Sequence, residues 1–163
     1  MSKPSDYRTL LHALTAERVE FIIVGALAAV LQGAPIVTFD LDILRRRTPE
    51  NVERLLRALE GLKAVARNDP RRIAPAASHL TGPGHLLLDT RAGDLDVLGT
   101  IEESTGYEEV LDQTIEVDLE GHSVRVLGLE RVIRAKEFAR RPKDLAVLPV
   151  LRATLAQLRK AGR

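Results

Sequence analysis

Apolar positions along the chain switch between a helical and an alternating period, and the switches mark its elements. Leu10, Leu11, Leu14 and Val19 recur at helical spacing after Ser5, which predicts a first helix over roughly 6–18. "EFIIVG" (20–25) is a short β-rich run closed by Gly25, so a buried strand and a turn are expected. "ALAAVLQG" (26–33) reads as a short helix stopped by Gly33, and "TFDLDIL" (38–44) alternates as a second strand does. "TPENVERLLRALEG" (48–61) carries a Thr48 cap, Pro49 in the first turn and a closing glycine, the marks of a complete helix.

The segment 67–84 is rich in proline and glycine and predicts mostly loop. "HLLLDTRAGDLDVLG" (85–99) reads as a hairpin turning near Arg91–Gly93. A short helix near Tyr107–Leu111 follows, then a second hairpin, "TIEVDLEGHSVRVLG" (114–128), turning at Glu120–Gly121. "LERVIRAKEFARR" and, after Pro142, "KDLAVLPVLRATLAQLRKA" predict two closing helices. The order α-β-α-β-α, then hairpins, then helices defines an α/β (α+β) domain with a mixed β-sheet flanked by helices and a C-terminal helical pair. The expected division is a core over 1–127 with helices over 128–163 packed on it as one structural unit.

At 163 residues, 45% of them hydrophobic and 29% charged, the chain is long enough for one domain with a sizeable core. Aromatics are only 3%, so Leu, Val, Ile and Ala must fill that core. No apolar run reaches membrane-spanning length and the N-terminus lacks the apolar stretch of a secretory signal, which leads to the expectation of a cytoplasmic protein with no membrane partner. The absence of cysteine excludes a disulfide framework and a thiolate metal site, and the four histidines have no ligand spacing. Net charge is +1, but residues 102–120 hold eight acids and no Lys or Arg, whereas 121–163 hold eleven Lys or Arg against three acids. Such asymmetry suits either a partner surface or two solvated faces that attract each other.

The candidate chemistry lies in the second strand. Side chains two apart on a strand share a face, so Asp40 and Asp42 stand together while Leu41 and Ile43 turn to the core. Adjacent carboxylates repel unless a cation lies between them, and oxygen pairs of this kind suit Mg²⁺, which takes a couple of carboxylates and leaves its other positions to water and phosphate. "GDLDVLG" repeats the pattern with Asp94 and Asp96. If the two strands are neighbours, three carboxylates converge at one edge of the sheet, as two-metal phosphoryl and nucleotidyl chemistry requires. The strand–Gly25–helix junction adds backbone N–H groups suited to phosphate oxygens.

Gly25 and Ala26, thirteen residues, then "DLDI" resembles the motif of the polymerase-β-like nucleotidyltransferase superfamily. "VTFDLDIL", "TPENVERLLRAL", "GDLDVLG", "GYEEV" and "RPKDL" are similar to its small bacterial members of the AbiEii and minimal-nucleotidyltransferase type, found in toxin–antitoxin and abortive-infection systems. The resemblance implies a nucleotidyltransferase fold and Mg²⁺ (or Mn²⁺) held by Asp40, Asp42 and Asp96, with Asp96 also acting on the acceptor hydroxyl. It further implies an NTP substrate bound by Gly25, Ala26, Thr38 and Lys136. The implied acceptor is a protein or a tRNA, and a cognate toxin or antitoxin is the implied partner. Three positions depart from the pattern: Ala26 stands where Gly or Ser is usual, Gln32 where His is frequent, and Ile36 where many members have Arg.

Lys136 continues the apolar stripe of Leu129, Val132 and Ile133, while Arg131, Arg134 and Glu137 are expected elsewhere on the helix. Lysine at such a position commonly snorkels to the helix edge; the resemblance instead places it near the triphosphate. Lys143 and Asp144 read equally well as a helix cap with a local ion pair or as part of the site. Arg45, Arg46 and Arg47 read as a phosphate contact or a solvated turn. The leading expectation is a metal-dependent enzyme that transfers NMP from an NTP to a hydroxyl. The alternative is a catalytically weak binding module of the same fold that grips a partner.

Overall fold

The computed structural model describes residues 4–162. Seven strands form one mixed sheet in the order β3-β4-β5-β2-β1-β7-β6. At its centre β1 (Phe21–Val24) pairs antiparallel with β2 (Leu41–Arg45), which pairs parallel with β5 (Gly93–Leu98). β4 (Leu86–Thr90) and the two-residue β3 (Val65–Ala66) extend one side, and the hairpin β6 (Thr114–Leu119) and β7 (His122–Leu127) extends the other. All four residues of β1 are buried, because helices cover both faces of the sheet there and no solvated face selects for alternation.

Apart from the short α5 (Tyr107–Val110), the helices form two contiguous groups. α1 (Tyr7–Ala16), α3 (Pro49–Gly61) and α4 (Ala77–Thr81) pack against one another; α2 (Gly25–Val30), α6 (Leu129–Ala139) and α7 (Pro142–Lys160) form the second set. The first set lies on the face that Leu41, Ile43, Leu95 and Val97 fill, all of them fully buried. No helix among the described residues is long and apolar enough to cross a membrane.

The start of α1 falls one residue later than its Ser5 signal. Asp6 caps it, accepting from Thr9 N at 3.1 Å and Thr9 Oγ1 at 2.7 Å. Ser5 is buried and straps β5 to the segment leading into β2 instead: its N donates to Phe39 O at 2.8 Å and its Oγ to Asp94 O at 2.7 Å. Within 67–84, expected to be mostly loop, lies the short helix α4, which has no periodic signal of its own; the two-residue β3 ends just before it.

Arg45 is neither a phosphate contact nor a solvated turn. It is fully buried at the end of β2, donating to Leu80 O at 3.0 Å, Val97 O at 3.1 Å and Gly82 O at 2.8 Å. The guanidinium thereby satisfies carbonyls at the C-terminus of α4, which α4 itself leaves open. Burial, then the charge of Arg47, lowers its pKa to about 10, so it remains a cation at neutral pH. Arg131, expected off the inward face of α6, is also buried and forms an ion pair with Glu102. With Glu116–Arg125 at 3.8 Å, this pair joins the acidic 102–120 segment to the basic 121–163 segment, so part of the charge asymmetry is spent within the chain.

Candidate active site

The parallel register places Leu41 opposite Leu95 and Asp42 opposite Asp96. Partners in register share a face, so both carboxylates project from the middle of the sheet toward α2, α6 and α7. They lie on two central strands rather than at a sheet edge. Asp40 immediately precedes β2, held by the Ser5 strap on Phe39. A cleft of about 460 Å³ has Asp40, Asp42 and Asp96 on one wall, Gly25 and Ala26 at one end, and Lys136 and Arg141 opposite. Thr38 also lines it, and Thr38 Oγ1 lies 3.4 Å from the Asp40 N–H.

Gly25 is fixed by this geometry. Its φ is +70°, and a Cβ there would collide with the Asp42 carboxylate. The close approach of backbone to carboxylate is what the glycine at the end of "EFIIVG" permits.

The carboxylates are only partly compensated by the chain. Oδ1 of Asp40 and Oδ1 of Asp42 are buried without a hydrogen-bond partner. Burial, then the charge and hydrogen bond of Asp96, raises the Asp42 pKa to about 7; Asp40 adds to the rise and Lys136 opposes it. Two buried acceptor atoms on adjacent aspartates, with no donor supplied, fit a hard divalent cation such as Mg²⁺. The third carboxylate differs. Asp96 Oδ1 accepts a 2.6 Å hydrogen bond from Arg67 Nη2, and among the described residues no three acidic or histidine side chains close around a common point.

The opposite wall is organised by Asp144. This residue is fully buried and accepts from Lys136 Nζ at 3.2 Å and Arg141 Nε at 2.7 Å. Burial alone would raise its pKa, but the bonds from Arg141 and Lys136 outweigh burial and hold it below the ordinary carboxylate value. Lys136 therefore does not snorkel away; it is tethered within the cleft. Gln32, at the end of the α2 turn, sets the distance of α6. Its Nε2 donates to Leu127 O at 2.8 Å and its Oε1 accepts from Leu129 N at 2.8 Å.

Asp40, Asp42, Asp96, Gly25, Ala26, Thr38 and Lys136, all singled out from the sequence, line one cleft. Arg67 and Arg141 were not singled out, and Asp144 had an equally good local reading. The acidic third residue of α7, bonded back to Arg141 N at 3.2 Å, was the available signal for Asp144. Arg67 lies in a proline-rich segment and had none.

No family model and no curated protein matches the sequence. Solved structures do share the fold. The crystal structure of TM1012 from Thermotoga maritima, described as a candidate nucleotidyltransferase, matches with a TM-score of 0.55 at 18% identity, over 96% of this chain and 91% of that one. The solution structure of the antibiotic-resistance factor ANT(2'')-Ia matches with a TM-score of 0.59 at 16% identity, over 91% of this chain and 84% of that one. The chain thus has the nucleotidyltransferase fold, as the glycine turn and Asp-apolar-Asp strand implied.

Proposed function

We propose that this protein is a metal-dependent nucleotidyltransferase that moves a nucleoside monophosphate from an NTP to an acceptor hydroxyl. The observation that carries the reading is the pair of buried, unpartnered oxygens on Asp40 and Asp42 facing the tethered cations Lys136 and Arg141. A triphosphate chelated to a divalent cation complements both walls at once.

Asp40 and Asp42 would hold Mg²⁺ or Mn²⁺, which when bound neutralises the phosphate oxygens and the developing charge. Lys136 meets the triphosphate as a point charge, and the Gly25–Ala26 backbone lies against it. Asp144 keeps Lys136 oriented before substrate arrives, which lowers the cost of ordering it. The acceptor oxygen attacks the α-phosphorus, its proton passing to Asp96 as the bond to the β-phosphate breaks and pyrophosphate leaves. A protein or tRNA acceptor, a cognate partner and a toxin–antitoxin setting rest on the sequence resemblance. Ala26, without a hydroxyl, and Asp96, occupied by Arg67, favour a second reading as a catalytically weak module of the same fold that grips a cognate partner.

Titration of NTP with Mg²⁺ tests the reading. At a hundred times the dissociation constant the ligand should add about 2.7 kcal/mol of stability, and Asp40→Asn with Asp42→Asn should remove that gain. Labelled NTP incubated with protein, Mg²⁺ and cell extract should label a macromolecule, and Asp96→Asn should bind NTP without transfer. Binding with no transfer by the wild-type chain would favour the binding module; no binding at millimolar NTP would defeat the enzyme reading and put the partner-gripping module in its place.

A further inference from the structure

Arg67 follows the edge strand β3, and its side chain reaches over β4 to β5. Its Nη2 donates to Leu88 O at 2.9 Å and to Asp96 Oδ1 at 2.6 Å. Its Nε lies 3.4 Å from Asp89 Oδ1 and 3.6 Å from Asp94 Oδ2, yet forms a hydrogen bond with neither. The Arg67 side chain is 17% exposed and that of Asp96 18%. One partly buried cation thus serves three carboxylates and gives its short bond to the one that lines the cleft.

Asp40 and Asp42 are held differently. Neither forms an ion pair among the described residues, and each keeps a buried oxygen without a donor. Two of the three aspartates are open to a cation, and the third already has one. A divalent ion placed on Asp96 would face the guanidinium at close range and would have to compete with a charge-assisted hydrogen bond.

We infer that Arg67 is a built-in counter-ion that reserves Asp96, so that the resting chain has one divalent-cation position, on Asp40 and Asp42, and fills a second only when Arg67 leaves. Departure is short, because Asp89 and Asp94 already lie beside Nε, along an open hollow of about 860 Å³ that they line with Arg67. Arg67 trades the bond to Asp96 for bonds to these two and remains neutralised throughout. It acts as a positioning residue: it sets when Asp96 can serve the acceptor side of the reaction. This role rests on the metal-dependent reading of the cleft.

The test is the number of Mn²⁺ ions bound per chain without nucleotide, by calorimetry or by the electron-spin signal of free Mn²⁺. The wild-type chain should take one ion and Arg67→Gln two. Arg72→Gln is the control: it removes a cation that bonds Asp89 at 3.0 Å but does not bond Asp96, so it should still take one. A second ion in both variants would assign the effect to overall charge and overturn the role of Arg67, as would a count of one in Arg67→Gln. If Arg67→Gln does not fold, Arg67→Lys decides. Its single ammonium cannot span Leu88 O, Asp96 and Asp89 together, so a second, weaker ion is expected and a count of one overturns the proposal. Asp40→Asn with Asp42→Asn separates the two inferences. Loss of the ion there, with Arg67→Gln unchanged from wild type, defeats only the role of Arg67; full Mn²⁺ binding by that double variant defeats the metal reading itself.

Discussion

The two ends of β2 treat buried charge in opposite ways. At one end Arg45 is fully enclosed, and Leu80 O, Val97 O and Gly82 O accept from it within 3.1 Å. Three residues earlier, on the opposite face, Asp42 keeps a buried oxygen with no donor, and so does Asp40 just before the strand. The chain thus meets the hydrogen-bonding needs of a buried cation with its own carbonyls and leaves its neighbouring anions short. A folded chain tolerates that cost where a ligand supplies the missing partner. Arg45 belongs to the fold; Asp40 and Asp42 belong to what the fold binds.

Substitution at the two ends should therefore change stability with opposite sign. Arg45→Met has the largest expected effect, a loss of about 3–4 kcal/mol, because it strands the buried carbonyls of Leu80 and Val97. Urea unfolding measures it; a loss below 1 kcal/mol would mean that the carbonyls find other donors. Lys136→Ala should leave the fold intact and weaken NTP about ten- to a hundredfold, the worth of a charge-assisted contact of roughly 1.5–3 kcal/mol. An unchanged dissociation constant would remove Lys136 from the site.

Gly25→Ala acts on the cleft end of β2. Its φ of +70° strains any Cβ, and the nearest atoms are those of the Asp42 carboxylate. A loss of roughly 1–2 kcal/mol is expected, with weaker Mn²⁺ binding because Asp42 must shift. Equal Mn²⁺ affinity in the variant would show that Asp42 is not fixed by this turn.

Asp42→Asn carries the smallest effect and the opposite sign. The folded-state pKa is raised from 3.8 to about 7, so between those values the folded chain holds a proton that the unfolded chain has released. The stabilising contribution of protonated Asp42 is therefore lost as pH rises through about 7. At pH 8 and without metal, Asn in its place should raise the melting temperature, by about 2–4 °C for each kcal/mol recovered. In the wild-type chain Mn²⁺ affinity should climb as pH rises to about 7, by at most about tenfold per unit, and then flatten. Affinity independent of pH between 5 and 7 would mean that no proton is displaced from Asp42.

The local elements and the identity of the anionic wall follow from the order of residues alone. Thr48, Pro49 and Gly61 bound a helix because caps and turns act over a few residues, and "FDLDIL" beside "GDLDVL" encodes a face of carboxylates because a strand has a period of two. Gly25 was legible for the same local reason. The folded chain alone sets β2 parallel to β5 with Asp42 opposite Asp96, since register is fixed by packing between segments more than fifty positions apart. It alone showed that Arg45 points into the core while Arg46 pairs with Glu20 at 2.6 Å outside it, a difference that three consecutive arginines cannot express in sequence. Arg67, Arg141 and Asp144 have roles only through partners brought from other elements or fully enclosed by them. Charge compensation depends on distance in space and on exclusion of water, and neither is written in the order of the residues.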